Sequence, residues 1–365
     1  MQGVSPSKGP VQLFEHEKFW ANHQPWLAER GYILRPRYRP GWTPSWVEKN
    51  DFPRNYEDSI TPINGHILDA RRKSDGNAVI LKLVNQDVHP FEKEISFFLS
   101  SEPYASHPRN HCVPIYEVLE VPDMENGIIL VMPLLRPHDD PRIKSIGEVV
   151  AFFRQIFEGL KFMHQLHIAH RDCMTLNIMM DPKPTFPHGF HPRKMYMDTN
   201  FKGPVKYHTR TARPTKYYLI DFGLSRKYSP EDGPPLEPPI LGGDKSVPEF
   251  QFAPGEPVRS VDPFPTDVYY LGNMIREEYL EKKVGLQFLE ALVRDMVQDD
   301  PSKRPTMDEV VKRFDEIIRR IPWWKLRSRL ADKDETGEKR FIRTVHHYYR
   351  TTGHILTFRR ALPTL

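Results

Sequence analysis

Cysteine is scarce: Cys112 and Cys173 are the two in a chain of 365 residues. Two thiols make neither a disulfide framework nor a four-ligand zinc site. A reduced intracellular setting, cytoplasmic or nuclear, is the simplest expectation. No apolar run approaches the ~20 residues that a bilayer-crossing helix needs, so no membrane span is expected. The opening residues, MQGVSPSKGPVQLFEHEKFW, lack an apolar signal core and carry acids early, so nothing in them calls for secretion or organelle import. Charge of one sign is missing too, with 52 Lys and Arg against 48 Asp and Glu, a net +4. With 39% hydrophobic and 27% charged residues, the composition excludes a fully disordered chain. Proline is what the chain has in excess, 36 residues, about twice its usual share of ~5%. That implies many interrupted connections. At ~100–200 residues per domain, the length allows one large or two modest domains.

Residues 1–57 read as an N-terminal extension with a helical patch over Leu13–Arg30 and a Pro- and aromatic-rich arm, LRPRYRPGWTPSW. Strand signals dominate from there to residue 135. ILDARR and NAVILKLV flank a Ser-Asp-Gly turn, which predicts a hairpin. EKEISFFLS reads as a short helix, and NGIILVMPLL as a buried strand after an Asn-Gly turn. After Pro137 the pattern turns helical. Phe153, Ile156, Phe157, Leu160 and Met163 fall on one helix face. Thr306 and Glu309 form a capping box before Val310, Phe314, Ile317 and Ile318.

The expected organisation is a small lobe over 58–135, a larger lobe over 136–325 and a polar, aromatic tail over 326–365. Residues 181–216 lie between two strand-like pieces and carry eight Lys or Arg, two Asp and six prolines, a net +6. They read as a surface loop able to dock an acidic partner. Nucleic acid is not expected, since no regular array of stacking aromatics accompanies the charge.

Four pieces carry chemistry, in a telling order. Lys82 ends the apolar run AVILK. His170-Arg171-Asp172 precedes Asn177 by a fixed interval. Asp221-Phe222-Gly223 follows YYLI, and Val247-Pro248-Glu249 comes later. A strand Lys can hold nucleotide phosphates, one Asp can accept a hydroxyl proton, and an Asn with a second Asp can bind a divalent ion.

In these residues the chain resembles the eukaryotic protein kinase superfamily, over about Ile63 to Arg320. The resemblance implies an α+β, bilobal protein kinase-like fold: a small antiparallel β-sheet N-lobe and a larger, mainly helical C-lobe. It implies a transferase using ATP and Mg²⁺, with a protein Ser or Thr hydroxyl as substrate. Carried over position by position, Asp172 would be the catalytic base, and Asn177 and Asp221 the metal ligands. Lys82 would bind the α- and β-phosphates, with Glu94 as its partner and Glu92 as the alternative. Gly65 would be the last glycine of the phosphate loop. Ile67, Ile80, Met132, Leu134 and Met179 would line the nucleotide. Asp267 matches a structural Asp, and Arg304 the partner of Glu249. Arg171 calls for a negative group on the segment between residues 223 and 247.

Departures accompany the match. Counted back from Lys82, the glycine-rich loop falls on Ile60-Thr61-Pro62-Ile63-Asn64-Gly65, where one glycine of three survives and Pro62 offers no N–H. Met174 stands where Ser/Thr kinases commonly have a Lys. Ala253-Pro254-Gly255-Glu256 is a second reading of the Ala-Pro-Glu motif. Two other functions follow from the same residues: a pseudokinase scaffold, and a small-molecule kinase of related fold. Elsewhere the simpler readings hold. Cys173 reads as a buried inert thiol, His188, His191, His346 and His347 as non-metal histidines, Ser229 and Ser246 as loop serines open to phosphorylation, and Trp323 and Trp324 as caps on the core.

Overall fold

The computed structural model describes residues 12–240, 243–252 and 257–365. The chain divides into two compact units. The first takes the residues up to 88, with 114–134 and 186–207; the second takes 89–113, 135–185 and 208–365.

The first unit is built on an antiparallel sheet of five strands: β1 (Tyr32–Leu34), β2 (Ile67–Arg72), β3 (Ala78–Asn85), β4 (Glu117–Glu120) and β5 (Gly127–Pro133), in the order β1-β2-β3-β5-β4. The predicted hairpin is β2–β3. Its turn is set by Gly76, at φ +69°, and by Asp75, which accepts from the Asn77 amide at 3.0 Å. Alternation along the strands gives the sheet two faces. Leu68, Ala70, Val79, Leu81, Ile129 and Val131 form one core with Trp20, Leu27 and Tyr38. Trp20 comes from helix α1 (Glu15–Asn22) and Leu27 from α2 (Gln24–Glu29). The N-terminal extension is thus packed into the sheet unit. Burying each large apolar side chain contributes about 1.5–3 kcal/mol.

Between β1 and β2 runs residues 35–66, a connection of short turns tied down by buried charge. Arg37 and Glu17, both without exposed side-chain surface, pair at 2.7 Å. Arg37 also donates to the Asp58 carbonyl at 3.1 Å, and Tyr38 donates to Glu17 at 3.1 Å. Arg35 donates to the Ile60 carbonyl at 2.8 Å and pairs with Glu57 and Asp69, both at 3.3 Å. Asp58 accepts from Trp42 at 2.9 Å and from the Ser45 amide at 3.0 Å.

Residues 186–207 reach the same connection. His191 lies 3.3 Å from Glu57, and Arg193 donates to the Thr61 carbonyl at 2.9 Å. Phe186, Phe190 and His191 are buried. The expected solvated loop is anchored over residues 186–207, where Phe186 and Phe190 are buried and His191 and Arg193 have partners inside the unit.

The second unit is mainly helical. Its elements are α3 (Glu92–Ser100), α4 (Ile146–Gln165), the strands β6 (Ile178–Met180) and β7 (Tyr217–Leu219), α5 (Pro263–Ile275), α6 (Glu290–Met296), α7 (Met307–Arg319) and α8 (Gly337–Leu356). Ser145 caps α4 by accepting from the Glu148 amide. The predicted stripe from Phe153 to Met163 is buried. The capping box of α7 is formed as expected, and Phe314 meets Phe157 of α4 edge-on, centroids 5.1 Å apart. β6 and β7 pair antiparallel.

The tail is ordered. Arg327 donates to the Arg359 carbonyl at 2.6 Å, and the Ala361 carbonyl lies where a Cβ on Gly147 would stand. Trp323 and Trp324 are exposed and do not cap the core; the residue of that turn that goes inward is Leu326. The fold is α+β and kinase-like, with an antiparallel sheet unit and a mainly helical unit. No helix among the described residues is long and apolar enough to cross a membrane.

Candidate active site

The catalytic-loop candidates sit in the second unit, between the short strand Ile168–Ala169 and β6. Arg171 is buried at φ +67°, and Asp221 has φ +66°. This left-handed region is uncommon for side chains of that size. What holds the loop there is Asp267 of α5, fully buried. Its carboxylate accepts from the His170 amide at 2.7 Å and from the Arg171 amide at 2.6 Å. His164 lies 3.0 Å from the same carboxylate. The Ser225 hydroxyl donates to the His170 carbonyl at 3.0 Å, and Phe222 packs edge-on against the His170 ring.

Asp172 and Asn177 are brought together. The Asn177 amide nitrogen donates to the Asp172 carbonyl at 2.9 Å and to its Oδ2 at 2.8 Å. The Asn177 Oδ1 is thereby left as the acceptor end of its side chain. Oδ1 of Asp172 is buried and makes no hydrogen bond among the described residues. Burial pushes the Asp172 carboxyl above the usual carboxylate range, and the charges of Asp221 and Asp267 add to that; His170 and the Asn177 bond oppose it. Gly243, at φ +75°, is packed so close that a Cβ there would come 2.8 Å from Asp172 Oδ1. Asp221 is exposed and Phe222 buried. Cys173 is fully buried, and burial raises its thiol well above the ordinary value, as expected of an inert thiol.

Arg171 has its counter-charge. It lies 3.4 Å from Glu237 and donates to the Leu224 and Pro238 carbonyls at 3.2 and 2.9 Å. Glu237 also accepts from the Tyr228 hydroxyl at 3.1 Å, and its backbone bridges to Val261. Glu249 takes two bonds from Arg304, at 2.7 and 2.6 Å. This is the pairing that the Val247-Pro248-Glu249 reading expects. Residues 253–256, the second reading of that motif, lie outside the described residues.

Of the two acids considered as partner of Lys82, helix α3 buries Glu92 and leaves Glu94 exposed. Its buried stripe is Glu92, Ile95, Ser96 and Leu99, an i, i+3, i+4, i+7 series. Glu94 points to solvent. Glu92 faces the Asp221-Phe222-Gly223 turn, where a Cβ on Gly223 would come 3.1 Å from its Oε2. Nearby, His89 Nδ1 lies 3.1 Å from the Gly223 carbonyl. The spacing of residues 92, 95, 96 and 99 is the sequence signal for this phase.

In the first unit, strand register puts four expected nucleotide-lining residues on one face. Ile67 stands opposite Lys82, and Ile80 opposite Met132. Leu134 follows the end of β5, and Met179 belongs to β6 of the second unit. Gly65, expected as the last glycine of the phosphate loop, lies two residues before β2. No short glycine turn joins β1 to β2, and residues 35–66 take its place. Gly65 is a glycine because α1 crosses it: a Cβ would come 3.1 Å from His16 Cβ, and the Gly65 carbonyl accepts from the Trp20 indole at 2.9 Å. Glu237, Tyr228 and Gly243 were missed by sequence reasoning. A lone acid, tyrosine or glycine in a proline-rich stretch carries no signal of its partner.

No family model matches the chain. Among curated proteins it is 24% identical over 323 residues to human NUAK family SNF1-like kinase 1, covering 79% of this chain and 42% of that one. It is 26% identical over 167 residues to human myosin light chain kinase family member 4, covering 44% and 33% of the two chains. A probable serine/threonine-protein kinase of Dictyostelium discoideum is 21% identical over 174 residues, 47% of this chain and 10% of that one. The chain thus spans less than half the length of these relatives. The similarities support a protein kinase-like relationship.

Proposed function

We propose that this chain is an active protein kinase that transfers the γ-phosphate of ATP to a protein Ser or Thr hydroxyl. The observation that carries the reading is the Asp172–Asn177 pair on a loop clamped by Asp267. Asp172 accepts the proton of the substrate hydroxyl. The hydroxyl oxygen bonds to the γ-phosphorus as its bond to the bridging oxygen breaks, and ADP leaves. Lys82 holds the α- and β-phosphates. Ile67, Ile80, Met132, Leu134 and Met179 contact the base and sugar.

Asn177 and Asp221 offer two oxygen donors, and no cluster of three or more His, Cys, Asp or Glu among the described residues could hold a metal alone. An all-oxygen pair completed by phosphates and water suits Mg²⁺. Mg²⁺ would neutralise charge on the transferred group. Exposed Lys183, Lys202, Lys206 and Arg213 are the side chains with which residues 181–216 would meet an acidic partner.

Phosphate transfer from labelled Mg-ATP to a peptide array tests the reading. Asp172→Ala and Asp221→Ala should each lower transfer by about 10²–10⁴-fold, and equal incorporation by the variants would end it. A second reading, a scaffold without catalysis, draws on the replaced glycine turn and on Pro62. An intact fold with no thermal shift on adding Mg-ATP would favour it. Transfer to a small alcohol and to no peptide would favour the small-molecule kinase, against which stands the Glu249–Arg304 pair.

A further inference from the structure

Helix α8 sits on its own unit by its polar side. His347 is buried and lies 2.9 Å from the Arg327 carbonyl, His354 lies 3.3 Å from the Thr209 hydroxyl, and Arg343 pairs with Glu335 at 2.7 Å. The opposite side is apolar and open. Phe341 is 72% exposed, Tyr348 68%, Tyr349 86% and Leu356 73%, with Ile342 and Val345 about half exposed beside them. Phe358, just past the helix, is 94% exposed. Residues 341, 345, 348, 349 and 356 recur at helical spacing, so this is one stripe. An amphipathic helix ordinarily buries such a stripe, and a contiguous exposed one marks an interaction surface.

Charge says what covers it. Leaving aside Arg343, which pairs with Glu335, residues 337–360 carry Lys339, Arg340, Arg350, Arg359 and Arg360 against Glu338 alone, a net +4. A second copy would bring two such segments together and repel. A partner that enclosed the helix would need the side already occupied by His347 and His354. A flat, anionic surface needs only the open side. We infer that α8 is a peripheral membrane-docking helix. Its aromatic and aliphatic stripe enters the boundary between headgroups and acyl chains, and the exposed cations at its two ends, Lys339, Arg340, Arg359 and Arg360, meet anionic lipid headgroups. This attachment requires no spanning segment, and it does not depend on the catalytic reading.

Flotation of the full chain with phosphatidylcholine vesicles, with and without phosphatidylserine, tests it. Binding is expected to the phosphatidylserine vesicles only, weakening as salt is raised. Phe341→Ser, Tyr349→Ser and Leu356→Ser together should lower the partition more than tenfold. Lys339→Gln or Arg340→Gln should each lower it about fivefold. All five positions are exposed, so the melting temperature should stay put, and a circular dichroism melt checks that. No binding, equal binding without phosphatidylserine, or unchanged binding of the triple variant overturns the inference. So does self-association that the same three substitutions abolish, which would make a second copy the occupant.

Discussion

The two units hold the segments that the proposed function draws on in different ways. In the second, a short stretch from His170 to Asn177 has the side-chain types the chemistry needs, and one buried carboxylate, Asp267, holds the loop by two backbone amides. In the first, the place of a short glycine turn is taken by residues 35–66, held by Arg35, Arg37 and Glu17. Asp172 and Asn177 are thus held together on a clamped loop, while a long tied-down connection stands between β1 and β2. A site can keep its proton acceptor and exchange its backbone donors because the two make separate demands: one needs a carboxylate at a fixed point, the other only N–H groups or cations near phosphate oxygens.

The largest effect is expected from breaking the clamp in the first unit. Glu17→Ala leaves the Arg37 guanidinium buried without its partner, and such a loss costs about 3–5 kcal/mol. Hydrogen exchange should accelerate over residues 35–66, with the melting temperature falling. Amides around Asp267 should keep their protection. Equal acceleration in both places would erase the contrast between the units. Glu17→Gln, which retains an acceptor for Arg37 but not the charge, should cost less.

The second unit has its own weak point, set by pH. His111 is buried against α4, where a Cβ on Gly159 would come 2.6 Å from its Cβ, and its Nδ1 lies 2.9 Å from the Tyr217 carbonyl. Burial pushes its imidazole down to about 4. The unfolded chain therefore takes up a proton near the ordinary value of ~6.5 while the folded one stays neutral. Stability should be full above ~6.5 and fall as the pH drops from there toward 4, by up to about 3 kcal/mol. Denaturant titrations across that range in wild type and His111→Asn check it. A variant with the same slope would show that another group carries the effect.

The legible part of the structure follows from short-range spacing. The β2–β3 hairpin announced itself by its Ser-Asp-Gly turn, α4 by its Phe153–Met163 stripe, and α7 by Thr306 and Glu309. The Glu249–Arg304 pair was readable because both residues belong to a pattern with a known physical use. What escaped depends on partners far away in the sequence. Nothing local tells that Tyr32–Leu34 will pair with Ala70–Arg72, nor that Arg37 will find Glu17. Residues 186–207 looked solvated because their charge was visible and the role of Phe186 and Phe190 was not.

The smallest effect expected concerns the segment after Asp221-Phe222-Gly223. Arg171 is nearly buried one residue before the proposed base, so its charge needs an answering one at hand. Glu237 supplies it within the same chain, steadied by the Tyr228 hydroxyl and by the bridge to Val261. It is a positioning residue: it touches Arg171 and not the reacting atoms. Glu237→Gln keeps an acceptor for Tyr228 and removes the charge. At about 1 kcal/mol for a partly exposed pair, kcat should fall about fivefold with KM for ATP unchanged. Limited proteolysis between Tyr228 and Pro238 should quicken in step. Tyr228→Phe should do less, since the ion pair survives it. If Glu237→Gln left both kcat and the proteolysis rate untouched, Arg171 would be held by the Leu224 and Pro238 carbonyls alone, and the second unit's loop would owe its geometry to Asp267 rather than to charge on the segment.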